Sequence, residues 1–375
     1  MENEREQEKD LPWLYWLGSQ FAVRRKTKEK LLSVYGTAKN IYNMKKQVWE
    51  AMDFLTDREK ELFLQGRKAD PEREFEKFFQ QGGAFTWIGG ADYPQKMQPL
   101  SGAPFALFYY GKLPDPKKKA VAIVGARGCS SYGRAAASSF AEAAARADAE
   151  IVSGMACGID NTAQMAALRV GGTSTAVLGC GIDICYPASS AETYWQLREK
   201  GCVLSEYPPG VRPEAWHFPA RNRIISGLSD AVLVIEAREK SGSLITADLA
   251  LEQGRDVYAL PGRVGDALSA GCNRLIRQGA GLAESPEEFV AELGLKSLQT
   301  VNKCKKNENS LAKEENLLYS CVDLKPKNLE EILAESPFSA EKTMELLLNL
   351  QLNGAIREIS RGIYVREHLQ ESFFL

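Results

Sequence analysis

Two short stretches of the chain combine glycine or serine with arginine, GARGCSSYG (125–133) and FPARNRIISG (218–227), and a third, EAREKSGS (236–243), ends a strand in serine and glycine. A guanidinium fork pairs with planar oxyanions, and glycine lets backbone N–H groups come close to an anion. Where a helix begins beside such a loop, the positive end of its dipole adds to the attraction. Together these residue types describe a place to hold phosphate. The phosphate could belong to a dinucleotide, to ATP or to a nucleic-acid backbone, and the spacing of the residues discriminates among them.

A dinucleotide site needs G-x-G-x-x-G and an acidic residue closing the second strand. Gly125-Ala126-Arg127-Gly128 lacks the second glycine in register, and EIVSG ends in Ser153-Gly154 rather than an acid. The stretch GCSSYGRA has the glycine spacing of an ATP loop, but Arg134 and Ala135 stand where Lys and Ser/Thr are required. Without that hydroxyl the Mg²⁺ ligand is lost, and without that lysine the charge on the terminal phosphates is lost. Ser241, Ser243 and Thr246 offer hydroxyls, yet a serine nucleophile needs a base, and His217 is the one candidate in this region. Ser241 and Ser243 serve equally as helix caps.

Single-stranded nucleic acid fits better. Arg127, Arg221 and Arg223 would neutralise phosphates, the last two flanking Asn222 at a helix start expected after Pro219. Gly125, Gly154, Gly242, Ser130, Ser241 and Ser243 would supply backbone or hydroxyl donors. Tyr132 and Phe218 would stack a base, and Trp216, Tyr186 and Tyr207 lie in the same set of loops. Each residue also has a plainer use: Arg221 or Arg223 can pair with Glu206 or Asp230, and Trp216 and Phe218 can belong to the core.

These loops need a frame. The 375 residues include 44% hydrophobic and 26% charged side chains, an ordinary globular balance. The net charge of −2 confines any nucleic-acid contact to a local patch. Eight cysteines without a CxxC pair and only two histidines, His217 and His368, point to reduced thiols, with neither a metal nor a cofactor expected. The charged start MENEREQEKD and the lack of a long apolar stretch lead us to expect a cytoplasmic protein that neither carries a leader nor meets a membrane.

From residue 121 six apolar runs recur: VAIVGA, EIVSG, TSTAVLG, CVLSEY, AVLVIEA and DVYALPG. Helical patterns such as AAASSFAEAAARA and LITADLALEQG lie between most of them. The alternation predicts an α/β domain with a doubly wound, mostly parallel sheet. In such a sheet ligands bind beyond the carboxyl ends of the strands, where the glycine-rich loops fall. Residues 11–80 carry helical periodicity, and 85–115 hold one strand, FALFYYG. The lysine-rich segment from 296 reads as a linker. Beyond it, three helices and a hairpin around Arg361–Gly362, with Ser339 capping the third helix and Gly354 ending it, outline a winged helix. The expected domains are therefore 1–84, 85–295, a linker at 296–312, and 313–375.

In this order VAIVGARGCSSYG, SGMACGIDNTAQMAAL, GCGIDICYP, SEYPPG, FPARNRIISGLS, EAREKSGSLITA and ALPG closely resemble the bacterial DNA-processing protein A family over about residues 85–290. The resemblance implies an extended Rossmann-like domain flanked by a small N-terminal helical domain (SAM or helix-hairpin-helix-like) and a C-terminal winged helix. It further implies single-stranded-DNA binding without enzymatic turnover, homodimers, and loading of the RecA recombinase during natural transformation. The family's Gly-Ser-Arg motif falls on Gly125, Ala126 and Arg127. A usual basic residue is replaced by Cys157 and a frequent histidine by Gln164. The competing reading is a nucleotide-binding Rossmann-like enzyme, either a nucleoside monophosphate hydrolase or an ATPase.

Overall fold

The computed structural model describes residues 2–295, 313–322, 326–353, 355–360 and 362–366. They fall into two compact units, Met1–Leu298 and Gln299–Leu375.

Each of the six apolar runs is a strand of the first unit. The chain contributes β1 (Gly83–Trp87), β2 (Ala106–Gly111), β3 (Ala120–Val124), β4 (Glu150–Ser153), β5 (Ser174–Leu178), β6 (Cys202–Ser205), β7 (Ala231–Val234), β8 (Asp256–Ala259) and β9 (Gly281–Leu282). They form one nine-stranded sheet in the order β1-β2-β6-β5-β4-β3-β7-β8-β9. The seven strands from β6 to β9 in that order pair in parallel, and β1 and β2 extend the β6 edge in antiparallel fashion. We expected one strand between 85 and 115. The second, β1, is short and is stabilised as an edge by its register with β2, Phe85 opposite Phe108.

The strands read as continuous apolar runs because both faces of the sheet are covered. Along β3, Val121 and Ile123 face helices that include Ser131–Arg146, packing with Ala137, Phe140 and Ala141. Ala122 and Val124 face the other way, into a core that also holds Ile225 and Val232. That second core runs on without a break into the N-terminal helices, through Trp13, Trp16, Leu31, Trp49 and Phe63. The boundary expected at 84 thus lies inside one compact unit.

The topology places a crevice. After β3 the chain builds outward through β4, β5 and β6, then returns to lay β7 on the other side of β3. At such a switch point the loops leaving β3 and β7 part in opposite directions and leave a gap at the carboxyl edge.

In the second unit the helices Lys313–Cys321, Leu329–Glu335 and Ala340–Leu352 pack around Leu318, Ile332, Leu346 and Leu350. Ser339 caps the third helix, its hydroxyl accepting from Lys342 N at 3.3 Å. Strands β10 (Lys327–Asn328), β11 (Ile356–Ser360) and β12 (Ile363–Arg366) form a small antiparallel sheet in the order β10-β12-β11. The linker at 296–312, Gly354 and Arg361 lie outside the described residues.

Candidate phosphate-binding cleft

The gap at the switch point is a cleft of about 700 Å³. The loop after β3 forms one wall with Gly125, Ala126, Arg127 and Gly128, and the loop after β7 forms another with Arg238, Lys240, Ser241, Gly242 and Ser243. A third wall is the helix His217–Leu228, which contributes Phe218, Arg221 and Asn222. Of the twelve residues singled out in the sequence, the fold brings eight together here: Gly125, Arg127, Phe218, Arg221, Asn222, Ser241, Gly242 and Ser243.

The loops approach each other closely for a backbone reason. Gly158 sits at φ +84°, and a Cβ there would lie 2.4 Å from the Ala126 carbonyl oxygen. Glycine lets the loop after β4 close against the loop after β3, and Ile159 N then donates to Ala126 O at 3.3 Å. Arg127 is left exposed on the cleft wall, its guanidinium 5.4 Å from the Phe218 ring centroid. That ring lies 5.4 Å from Tyr186, so a cation and two aromatic faces form one surface. Across the cleft the helix Gly242–Glu252 starts at Ser241, whose hydroxyl accepts from Ser243 N at 3.4 Å and contacts Ser243 Oγ at 2.7 Å. The side-chain amide of Asn222 donates to Gly242 O at 3.2 Å and fixes this turn. Among the described residues no carboxylate lies within ion-pair distance of Arg127, Arg238 or Lys240. Sequence reasoning passed over Arg238 and Lys240. The signal was present, because EAREKSGS was already read as a strand end.

Arg221 reaches the cleft from below. It is 5% exposed, and its Nη1 donates to Gly154 O at 2.8 Å and to Val177 O. Gly154 N in turn donates to the buried Asp160 carboxylate at 3.1 Å. Burial pushes the Asp160 carboxyl up and the Arg221 guanidinium down, and the opposite charges counter both shifts. Gly154 is glycine because a Cβ would lie 2.3 Å from the Arg221 guanidinium. Gly154 therefore offers no free donor here: its N–H and its carbonyl are both spent holding Asp160 and Arg221.

Arg223, Ser130 and Tyr132 lie elsewhere. The sequence placed Arg221 and Arg223 at a helix start, whereas the helix begins at His217 and both are inside it. Two residues apart on a helix means about 200° of rotation, so their side chains leave on opposite sides. Arg223 donates from Nη2 to both carboxylate oxygens of Glu206, at 2.7 and 2.6 Å, and faces a second cleft. Ser130 caps the helix Ser131–Arg146 and donates its backbone N–H to the buried Glu236 at 2.9 Å. Tyr132 is exposed, its hydroxyl donating to Pro261 O at 3.3 Å, outside the cleft lining. Tyr207 and Trp216 also lie away from the cleft, each against His217, at 4.1 and 4.0 Å between ring centroids. His217 is buried there and lines no part of the cleft that holds Ser241 and Ser243. Cys157 is exposed with its Sγ 3.2 Å from Ser189 Oγ, and Gln164 is buried beneath the loops.

A doubly wound sheet with cationic loops and a helix N-terminus at its switch point defines a Rossmann-like α/β protein. Comparison with known proteins narrows this class. The sequence model of the family "DNA recombination-mediator protein A" matches residues 84–294, and the chain belongs to that family. The chain is 43% identical over 232 residues to the DNA processing protein DprA of Streptococcus pneumoniae, covering 62% of this chain and 80% of that one. Among solved structures, DNA processing protein A from S. pneumoniae superposes with a TM-score of 0.63 at 36% identity, over 75% of this chain and 97% of that one. DNA processing protein A from Helicobacter pylori, described for its single-stranded DNA binding mode, superposes with a TM-score of 0.51 at 30% identity, over 56% and 95%.

Proposed function

We propose that the chain is a single-stranded-DNA-binding recombination mediator that leaves its ligand chemically unaltered. The observation that carries this reading is the convergence, on one 700 Å³ cleft, of three cations without counter-charges among the described residues and the neighbouring, tilted rings of Phe218 and Tyr186. Phosphates would lie on Arg127, Arg238 and Lys240 and against the amides of Gly125 and the Ser241–Ser243 turn. A base would lie on Phe218. Arg221, in this assignment, shapes the cleft floor. Family membership and the ligand of the H. pylori relative support a polynucleotide over a mononucleotide.

The finer expectations from the sequence belong to the same proposal. The protein would work in the cytoplasm as a homodimer, protect incoming single strands and load RecA on them during natural transformation. The N-terminal helices (1–84) would form a SAM-like element and residues 313–375 a winged helix. The order β10-β12-β11 beside three helices supports the last of these.

Fluorescence anisotropy with single- and double-stranded oligonucleotides across a salt series tests the reading. Arg127→Ala, Arg238→Ala and Lys240→Ala should each weaken single-strand binding and flatten the log–log salt slope by about 0.7. Unchanged affinity and slope in all three would show that the strand lies elsewhere.

A further inference from the structure

The helix His217–Leu228 separates the cleft at the switch point from a second one. Ala215, Phe218 and Pro219 line the first, while Trp216, Ala220 and Arg223 line the second, so adjacent residues of one ridge face opposite sides. The second cleft has about the same volume, 710 Å³, and lies between the N-terminal helices and the segment leading into β2.

Its charge is unbalanced. Five basic side chains line it, of which Arg24 is paired with Glu59, Arg25 with Glu29 and Arg223 with Glu206. Lys28 and Arg58 remain without a carboxylate partner among the described residues. Lys28 is 2% exposed, its ammonium 3.4 Å from Gly18 O and 5.1 Å above the Phe105 ring. Burial pushes it down to about 7, opposed by Glu206, whose charge Arg223 already shares. A buried ammonium with one long hydrogen bond is costly to retain, and an anion in the cleft would offset that cost. Nη1 of Arg223 is buried with no hydrogen-bond partner among the described residues. At the mouth, the Trp216 indole stands 57% exposed.

We propose that this second cleft continues the binding path, receiving the nucleotides of a single DNA strand that leaves the first cleft across the Trp216–Pro219 ridge. The proposal rests on the first cleft being the primary site. Lys28 and Arg58 would take phosphate oxygens, and Trp216 would stack a base at the crossing, which is how sequence-tolerant single-strand grooves work.

The test compares oligothymidines of about 6 and about 20 nucleotides, on the full chain, for Arg58→Ala, Trp216→Ala and Arg127→Ala. Arg58 and Trp216 are both exposed, so their replacement leaves the core intact. The short ligand should bind both second-cleft variants like the parent. The long one should bind Trp216→Ala about five-fold or more weakly, and Arg58→Ala with a salt slope flatter by about 0.7. Arg127→Ala should weaken both lengths. Equal effects of the second-cleft variants on both lengths, or no effect on either, would overturn the extension. Loss of neither length in Arg127→Ala would instead overturn the primary site, so the two failures are distinguishable.

Discussion

Replacing Arg221 by alanine separates a structural role from a ligand role. The guanidinium is 5% exposed, and its Nη1 donates to the Gly154 and Val177 carbonyls at the ends of β4 and β5. Its removal leaves those oxygens without their donor and leaves the buried Asp160 carboxylate without its compensating charge. Two buried carbonyls left without a donor, at about 1–3 kcal/mol each, and the weakened longer-range attraction to Asp160 together cost about 3–5 kcal/mol. For a unit of this size that corresponds to a loss of roughly 6–20 °C in the melting midpoint. Urea denaturation followed by tryptophan fluorescence would read the stability, and anisotropy at low temperature, where the variant is still folded, would read the affinity. We expect a large stability loss with a salt slope like that of the parent. Arg221→Lys, which keeps the charge but loses the fork, should fall between the two proteins. An Arg221→Ala protein within about 0.5 kcal/mol of the parent, with a slope flatter by about 0.7, would show that the guanidinium faces the strand and that this reasoning is wrong.

Further outcomes follow from the same geometry. Glu59 accepts from Arg24 at 2.7 and 2.9 Å, from Thr27 and from Thr56, and the Arg24 hydrogen bond leads in holding its carboxyl at about 2. The folded value lies below the unfolded one, so its stabilisation is complete above the unfolded pKa of 4.5 and is lost as pH falls from there towards 2. Because Arg24 is largely in water, the effect should be at most about 1 kcal/mol, and Glu59→Gln should abolish that part of the acid slope in urea titrations at stepped pH. Ala126 lines the first cleft, so Ala126→Ser should add a hydroxyl donor there and tighten single-strand binding about five-fold by anisotropy. Arg223→Ala should leave binding of a short oligonucleotide intact while lowering stability, because it strands Glu206, which is four-fifths buried; weaker short-ligand binding at unchanged stability would return Arg223 to the primary site.

Much of this protein is local and therefore legible in the sequence. Each parallel strand from β3 to β8 is a short apolar run, β3 to β6 running directly into glycine or serine, and each loop expected at a carboxyl end is found at one, because strand length and turn chemistry depend on neighbours in the chain. The proposal of a phosphate site in these loops needed only the residue types. What the sequence left open was membership in the cleft. Arg221 and Arg223 look equivalent as letters, but a helix begun at His217 rather than beyond Pro219 turns them about 200° apart, burying one beneath Gly154 and pairing the other with Glu206. The N-terminal helices likewise show a helical period but not their destination. Only tertiary packing brings Lys28 over Phe105 and Arg24 onto Glu59, and so creates a second basic cleft. Local pattern sets where a side chain can point; the order of strands and the phase of one helix, both fixed by long-range contacts, decide what it meets.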